Sequence, residues 1–102
     1  MQMINYDSRQ PWEDLSNAII AQAADDYKKA FKTIQSPKKG FEKKIEAAHS
    51  IHSINRFFRG KWYELLTQID PEYLIYKLNE LYGNTEATEF VNKYAVFTTE
   101  RI

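Results

Sequence analysis

PWEDLSNAIIAQAADDYKKAFKTI, residues 11–34 of the chain, sets its apolar side chains at the three- and four-residue steps of an α-helix. The residues of this stripe are Trp12, Leu15, Ile19, Ala23, Tyr27, Ala30 and Ile34. Pro11 suits the first turn, where its missing N–H removes no hydrogen bond. Acidic residues near the start and lysines near the end also suit the helix dipole. The stretch predicts an amphipathic helix over residues 11–34 and favours an all-α fold.

A second helix is predicted from Ser36-Pro37, a capping side chain followed by proline at the first helical position. Its inward stripe comprises Phe41, Ile45, Ala48, Ile51, Asn55 and Phe58. Gly60 is predicted to end this helix, because glycine tolerates the left-handed conformation common just past a helix C-terminus.

Three further helical segments are predicted after Gly60. A short one over residues 62–69 is indicated by Trp62, Leu65, Leu66 and Ile69. Asp70-Pro71-Glu72 then starts a helix whose inner face is Leu74, Ile75, Leu78 and Leu81 and which Gly83 ends. Asn84 or Thr85 caps a last helix that carries Ala87, Phe90, Val91 and Tyr94.

The tail, residues 95–102, is open to two interpretations, because Val96–Thr99 also suits a short strand. With this alternative kept, we expect an all-α protein. It forms a single helical domain over residues 1–102, a compact bundle of four to five antiparallel helices.

The composition of the 102-residue chain narrows the class of protein. A domain of this length buries a modest core without metal or disulfide bonds, and the absence of cysteine fits a reducing cytosol. The first residues lack the basic start and apolar run of a signal peptide. The longest uncharged stretch, 15–24, is about half of what a membrane-spanning helix needs. We therefore expect a cytoplasmic protein that does not associate with a membrane.

Charge is distributed unevenly, although the formal net charge is zero. Residues 28–61 hold ten Lys or Arg against two Glu, which gives +8, whereas residues 1–27 and 62–102 each carry −4. A basic middle between acidic ends can attract a polyanion locally while overall repulsion stays small. In the alternative interpretation, these charges only solvate one helix and pair with its neighbours.

Residues able to support catalysis or metal binding are sparse in the sequence. His49 and His52 lie three residues apart, with Glu46 on the same helical face, but zinc needs three or four ligands. We therefore interpret both histidines as solvent-facing polar residues. The sequence has no nucleophile turn, glycine-rich phosphate loop or converging carboxylate pair. We expect a protein that is not an enzyme and uses no cofactor or metal.

The first candidate contact surface lies on the second helix and comprises His49, His52, Arg56 and Arg59, with Lys61 just beyond. Protonation of the histidines would make this stripe more basic below about pH 6.5. It overlaps the segment NRFFRGKW, residues 55–62, in which rings and cations alternate. There Phe58 and Trp62 are expected to pack on the core, while Phe57 lies near the edge of the stripe.

Tyr73, Tyr76 and Lys77 form a second candidate contact surface, because they share a face opposite the inner leucines of their helix. Tyrosine is enriched where proteins bind partners. The alternative is that Tyr73 or Tyr76 covers the edge of a small core.

Two stretches of the chain carry a family resemblance. The first runs from Pro11-Trp12 through Leu15, Ala18-Ile19-Ile20 and Gln22-Ala23 to Asp26-Tyr27. The second is RFFR at residues 56–59, then Trp62-Tyr63, Leu65-Leu66-Thr67 and DPEYLI at residues 70–75. Together they resemble a family of small, mostly uncharacterised proteins carried by phages, plasmids and conjugative elements of Gram-positive bacteria. The resemblance covers residues 12–27 and 56–78, and Gly60 and Pro71 stand where the family has serine and glycine.

The resemblance implies a non-enzymatic inhibitory binding protein of a mobile genetic element, and the family has no catalytic motif to transfer. Small proteins of this kind include anti-CRISPRs, so the most concrete version is an inhibitor of type II Cas9. Its partner would be Cas9 or the guide RNA complex. A mimic of the DNA that carries the target-adjacent motif would be strongly acidic, whereas this chain is neutral, so contact is expected elsewhere on the complex.

Two other functions stay open at this point. The chain could be a nucleic-acid-binding accessory protein of a phage or conjugative element that uses the basic segment 28–61. It could also be a structural or regulatory partner protein with no CRISPR role.

Overall fold

Five α-helices make up the fold in the computed structural model, which describes the backbone of residues 10–100 and the side chains of residues 13–94. They are α1 (Gln10–Gln35), α2 (Phe41–Phe58), α3 (Lys61–Leu66), α4 (Pro71–Tyr82) and α5 (Thr85–Glu100). The all-α prediction is therefore confirmed for the described residues. Residues 95–100 continue α5, so the strand alternative for the tail is wrong, while residues 101–102 lie outside the described range.

The connection between α1 and α2 differs from the start predicted at Ser36. Helix α2 begins at Phe41 with Gly40 as its N-cap, and residues 36–40 form a turn. The Ser36 side chain accepts a hydrogen bond from the Lys38 amide (3.2 Å), and its carbonyl accepts one from the Lys39 amide (3.4 Å). Because Ser36 makes these local bonds, it stabilises a turn instead of capping a helix.

Glycines follow α2 and α4, as the sequence predicts, but the left-handed conformation expected at Gly60 is absent. Gly60 has φ −94° and Gly83 has φ −99°, values that other residues adopt as well. Gly83 has a different reason to be glycine. A Cβ at this position would lie 3.0 Å from the Phe31 ring and 3.0 Å from the Asn79 carbonyl oxygen. Close approach of the α4–α5 junction to α1 therefore selects glycine at residue 83.

Two predicted helix caps are present. Asp70 accepts a hydrogen bond of 3.0 Å from the Glu72 amide at the start of α4. Asn84, not Thr85, caps α5, because its side-chain oxygen accepts a bond of 2.7 Å from the Ala87 amide. Each cap satisfies an amide that has no acceptor inside its own helix.

The core lies where α1 and α2 pack as a hairpin and the other three helices contact them. Its buried side chains are Tyr27, Ala30, Phe31, Ile34, Ala47, Ala48, Ile51, Phe58, Tyr63, Ile75, Leu78, Ala87 and Val91. The Tyr27 ring meets Phe31 edge-on at 5.4 Å and stacks on Phe58 at 6.3 Å. Burying a side chain of this size contributes about 1.5–3 kcal/mol, so these rings are the main anchors of the hairpin.

The first half of the apolar stripe predicted for α1 is more exposed than expected. Leu15 is 53% exposed and Ile19 is 37% exposed, whereas the neighbouring Ser16 is buried. The side chain of Trp12, the first member of the stripe, lies outside the described range. Helix α1 has 26 residues and α2 has 18, so α2 is too short to cover the first turns of α1. Periodicity shows which residues share a face but not how far the next helix extends along it.

The predictions that Phe41 and Leu81 face inward are both wrong. Phe41 is 58% exposed and Leu81 is 64% exposed. In α4 the inner face is made by Ile75 and Leu78, with Tyr82 packed against the core, so the buried arc is rotated away from Leu81.

A polar junction inside the bundle explains why Asn55 belongs to the inward stripe of α2. The Tyr27 hydroxyl donates to the Asn55 side-chain oxygen (3.0 Å) and accepts from the Asn79 amide nitrogen (2.9 Å). Asn79 also donates to the Ile75 carbonyl oxygen at 2.8 Å. Burial of the Tyr27 ring raises the pKa of its hydroxyl, so the hydroxyl stays protonated and able to donate.

Candidate interaction surfaces

The side chains of the predicted basic stripe of α2 differ in their exposure and in their ion pairs. His49 and His52 are half-buried, so they face solvent less fully than predicted. The Nε2 atom of His49 is enclosed and has no hydrogen-bond partner among the described residues. Arg56 is exposed and makes no ion pair with a described carboxylate, so it is the member of the stripe most open to a partner.

Arg59, at the end of the stripe, is bound within the chain by Glu72. Its guanidinium donates two hydrogen bonds to the Glu72 carboxylate, Nε to Oε2 at 2.6 Å and Nη2 to Oε1 at 3.0 Å. This hydrogen-bonded ion pair lowers the pKa of Glu72 and raises the pKa of Arg59. The pair joins the end of α2 to the first turn of α4 across α3. Arg59 could therefore bind a partner only by sharing or leaving Glu72.

The outward face predicted for α4 is found in the structure. Tyr73 is 58% exposed and Tyr76 is 60% exposed, so the alternative that they cover the edge of the core does not describe them. Lys77 is half-buried and pairs with Glu80 at 3.0 Å. The two rings, more than the lysine, are available for contact.

The prediction that Trp62 of α3 packs on the core is wrong. Trp62 is 66% exposed, and Tyr63 is buried in its place, with its ring in edge contact with Phe58 at 5.6 Å. Leu65 and Ile69 are also more than half exposed. Helical spacing alone could have suggested this arrangement, because Tyr63 lies three residues before the buried Leu66.

We call the exposed apolar side chains of this region the α3–α4 surface, comprising Trp62, Leu65, Ile69, Tyr73 and Tyr76. All five are more than half exposed and lie within residues 62–76. Trp and Tyr are the residues that contribute most binding energy at protein interfaces, so this exposed set is a candidate interaction site.

Lysines concentrate at the other end of the hairpin, in a region we call the basic turn, comprising Lys38, Lys39, Phe41, Lys43 and Lys44. Lys38 and Lys39 lie in the turn after α1, and the other three residues lie in the first turn of α2. Phe41 contacts Phe90 at 6.1 Å and Tyr94 at 5.3 Å, both edge-on, yet remains largely exposed. Lys61, by contrast, lies apart from this group, at the start of α3.

A groove runs between α1 and α2. At one end its walls are apolar, formed mainly by Ile19, Ala23, Ile54 and Phe57, with a volume of about 370 Å³. The other end, of about 580 Å³, is lined by Lys29, Lys43, Asp26, Glu46 and His49 with small neighbours. Lys29 pairs with Asp25 at 3.1 Å and Lys43 lies 3.8 Å from Glu46, so the charges at this end are largely matched.

No family model, curated protein or solved structure matches the chain.

Within the described part of the chain, no group of three or more His, Cys, Asp or Glu is placed to hold a metal ion. The described helices also include none with both the length and the apolar character needed to cross a bilayer. Exposed apolar side chains lie in the α3–α4 surface, and exposed lysines lie in the basic turn.

Proposed function

We propose that the chain is a non-enzymatic inhibitory binding protein that acts by covering part of another macromolecule. The observation that carries this proposal is the α3–α4 surface, on which Trp62, Leu65, Ile69, Tyr73 and Tyr76 are all more than half exposed. The Arg59–Glu72 pair spans α3 and joins the end of α2 to the start of α4. A surface held in place before binding loses less conformational entropy when a partner covers it.

The most concrete form of this proposal is an anti-CRISPR protein of a phage or plasmid that inhibits type II Cas9. It rests on the family resemblance of residues 12–27 and 56–78, and the second of these stretches contains the whole α3–α4 surface. The neutral net charge argues against mimicry of target DNA. The proposed contact is therefore a protein surface of Cas9 or the guide RNA complex, away from the cleft that reads the target-adjacent motif.

A plasmid-cleavage assay with purified Cas9 and guide RNA tests this proposal. Cutting should fall as the protein is added, and uninhibited cutting at a large molar excess would refute the Cas9 assignment. The double variant Trp62→Ala, Tyr73→Ala should need about tenfold more protein for the same inhibition. Leu15→Ala is the matched control, since Leu15 is a similarly exposed apolar residue on α1. If the double variant inhibits like the original protein, the α3–α4 surface is not the contact.

A second candidate function is that of a nucleic-acid-binding accessory protein of the same elements. It is favoured by the basic segment 28–61, in which Lys32, Lys38, Lys39, Lys44 and Arg56 lack an ion pair with any described carboxylate. Binding to phosphates releases counterions, so affinity should fall steeply as salt is raised. If no mobility shift of DNA or RNA is seen even at low ionic strength, this candidate fails.

A further inference from the structure

Little of the charge of the basic turn is neutralised, in contrast to three cations elsewhere in the molecule. Lys29, Arg59 and Lys77 have carboxylate partners at 3.1, 2.6 and 3.0 Å. Lys38, Lys39 and Lys44 have none within 4 Å among the described side chains, and Lys43 lies 3.8 Å from Glu46 in a pair that is about 70% exposed at both ends.

The acidic residues near the basic turn do not cancel its charge. Glu42 lies among the four lysines, and Glu86 lines a groove together with Lys44. Neither glutamate makes an ion pair with a described lysine of the turn. Residues 36–44 carry a formal charge of +3, from four Lys and one Glu, and the nearby Glu46 reduces it to +2.

Phe41 adds an aromatic surface to this charge. Its ring is 58% exposed but is held on one side by edge contacts with Phe90 and Tyr94, at interplanar angles of 78° and 88°. Another cation is close by, because the Lys93 ammonium lies 5.3 Å from the centre of the Tyr94 ring. An anchored, exposed ring bordered by cations is the arrangement on which unpaired bases stack.

The backbone at the start of α2 also favours the binding of an anion. The first helical bond runs from the Lys44 amide to the Gly40 carbonyl at 3.1 Å, and Gly40 has no side chain to cap the helix. The amides of residues 41–43 therefore have no acceptor within the helix and are available to an anion beside the lysines.

We propose that the basic turn binds single-stranded nucleic acid, with its lysines on the phosphates and a base stacked on Phe41. This proposal rests on the second candidate function and narrows it from the segment 28–61 to residues 38–44. Single strands fit better than a duplex, because stacking on a protein ring needs an unpaired base.

Gly40 offers a test that separates binding from stability. Its backbone is extended (φ −78°, ψ 172°), and a Cβ there would meet no atom within 4 Å. Gly40→Asn and Gly40→Asp should both cap α2 without strain, but only aspartate places a negative charge among the lysines. Both variants should melt at or above the temperature of the original protein, whereas only Gly40→Asp should bind nucleic acid distinctly less well.

The binding experiment uses fluorescence anisotropy of a labelled oligo(dT) of about 12 nucleotides, within the range of single-strand site sizes. At low salt, Gly40→Asp should weaken binding about fivefold or more, and Gly40→Asn far less. Phe41→Leu should weaken it about tenfold without changing the salt dependence. In the double variant Lys38→Gln, Lys39→Gln, the slope of log K against log salt should become shallower by about 0.7 for each phosphate that is no longer neutralised.

Each of three results would overturn this proposal. The first two leave the second candidate function standing, and the third replaces nucleic acid with a membrane surface as the partner. If Arg56→Gln or Lys61→Gln weakens binding as much as the turn variants, nucleic acid binds elsewhere. If a duplex of the same length binds as tightly as oligo(dT), the preference for single strands is wrong. If Gly40→Asp weakens binding to phosphatidylserine vesicles but not to oligo(dT), the partner is a membrane surface. If the original protein binds no nucleic acid at low salt, both this proposal and the second candidate function fail.

Discussion

Asn79 on α4 donates a hydrogen bond of 2.9 Å to the hydroxyl of Tyr27 on α1, although the two residues lie 52 positions apart in the chain. The same hydroxyl donates to Asn55 on α2 at 3.0 Å. One buried tyrosine therefore fixes the relative positions of three helices, and its polar atom is satisfied in both directions. Apolar packing at this point would stabilise the bundle but would specify the register of the helices less closely.

Replacing Tyr27 by phenylalanine should destabilise the protein by about 1–2 kcal/mol, because Asn55 and Asn79 each lose a partner in a half-buried site. The melting temperature should fall by about 5–10 °C, measured by circular dichroism. Tyr76→Phe is the control, since the Tyr76 ring is 60% exposed and its hydroxyl can be solvated by water. An equal loss in both variants would contradict the structural role of the junction.

Tyr63→Phe should not destabilise the protein, in contrast to Tyr27→Phe. The Tyr63 hydroxyl is buried, and no described group forms a hydrogen bond with it. A buried hydroxyl without a partner is unfavourable, so its removal should leave the free energy of unfolding unchanged or raise it. The same melting experiment checks this prediction. A loss as large as that of Tyr27→Phe would mean that the hydroxyl is bonded in solution.

Stability should fall as the solution becomes alkaline. Burial raises the pKa of Tyr27, and burial together with the charge of Asp70 raises the pKa of Tyr63. In the unfolded chain both hydroxyls ionise near pH 10, so above that pH the unfolded state binds fewer protons and is favoured. Tyrosinate absorbance should show two of the seven tyrosines ionising late, together with the loss of helical signal. Early ionisation of all seven in the folded protein would contradict the burial of these two rings.

Gly83→Ala should be clearly destabilising, by about 1–3 kcal/mol. The added methyl would lie 3.0 Å from the Phe31 ring and from the Asn79 carbonyl oxygen, so the ring or the α4–α5 junction must shift. Denaturant unfolding would measure the loss. Gly40→Ser is the matched control, because a side chain at residue 40 meets open space and can cap α2. Equal stability of Gly83→Ala and the original protein would show that the junction is not closely packed.

Acid should break the Arg59–Glu72 ion pair, which joins the end of α2 to the start of α4. Because Arg59 lowers the pKa of Glu72, their interaction stabilises the fold at neutral pH and is lost as the pH falls below about 4.3 and through the lowered value. Carboxyl NMR titration should give a lower pKa for Glu72 in the original protein than in Arg59→Gln. High salt should reduce the difference, since both side chains are largely exposed. Equal pKa values at low salt would mean that the pair does not persist in solution.

The helices could be predicted from the sequence because their signals are local. The stripe through Tyr27, Ala30 and Ile34, the cap at Asp70 and the stop after α4 each depend on a few neighbouring residues. The exact start of α2 could not be predicted in this way, since Ser36 has the same side chain whether it caps a helix or closes a turn. The hydrogen bonds that Ser36 accepts from the Lys38 and Lys39 amides show that it closes a turn, and these bonds form only in the folded chain.

The candidate surfaces were less predictable, because exposure depends on the length and position of neighbouring helices. The outward direction of Tyr73 and Tyr76 follows from their position opposite the inner residues of α4. The apolar character of Trp62 predicts a place in the core, but adjacent positions of a helix face different directions, and Tyr63 occupies the buried one. Arg59 gives no local sign of Glu72, which lies 13 residues further along the chain.

The exposure of Trp62 gives the molecule a natural optical reporter. An indole in contact with water emits at long wavelength, and its emission shifts to shorter wavelength when another macromolecule excludes that water. The chain has two tryptophans, so Trp12→Phe would leave Trp62 as the single emitter. Because that indole is already 66% exposed in the folded state, its emission should change little on unfolding and much on complex formation. A partner that covers α3 would then reveal itself without any label attached to either molecule.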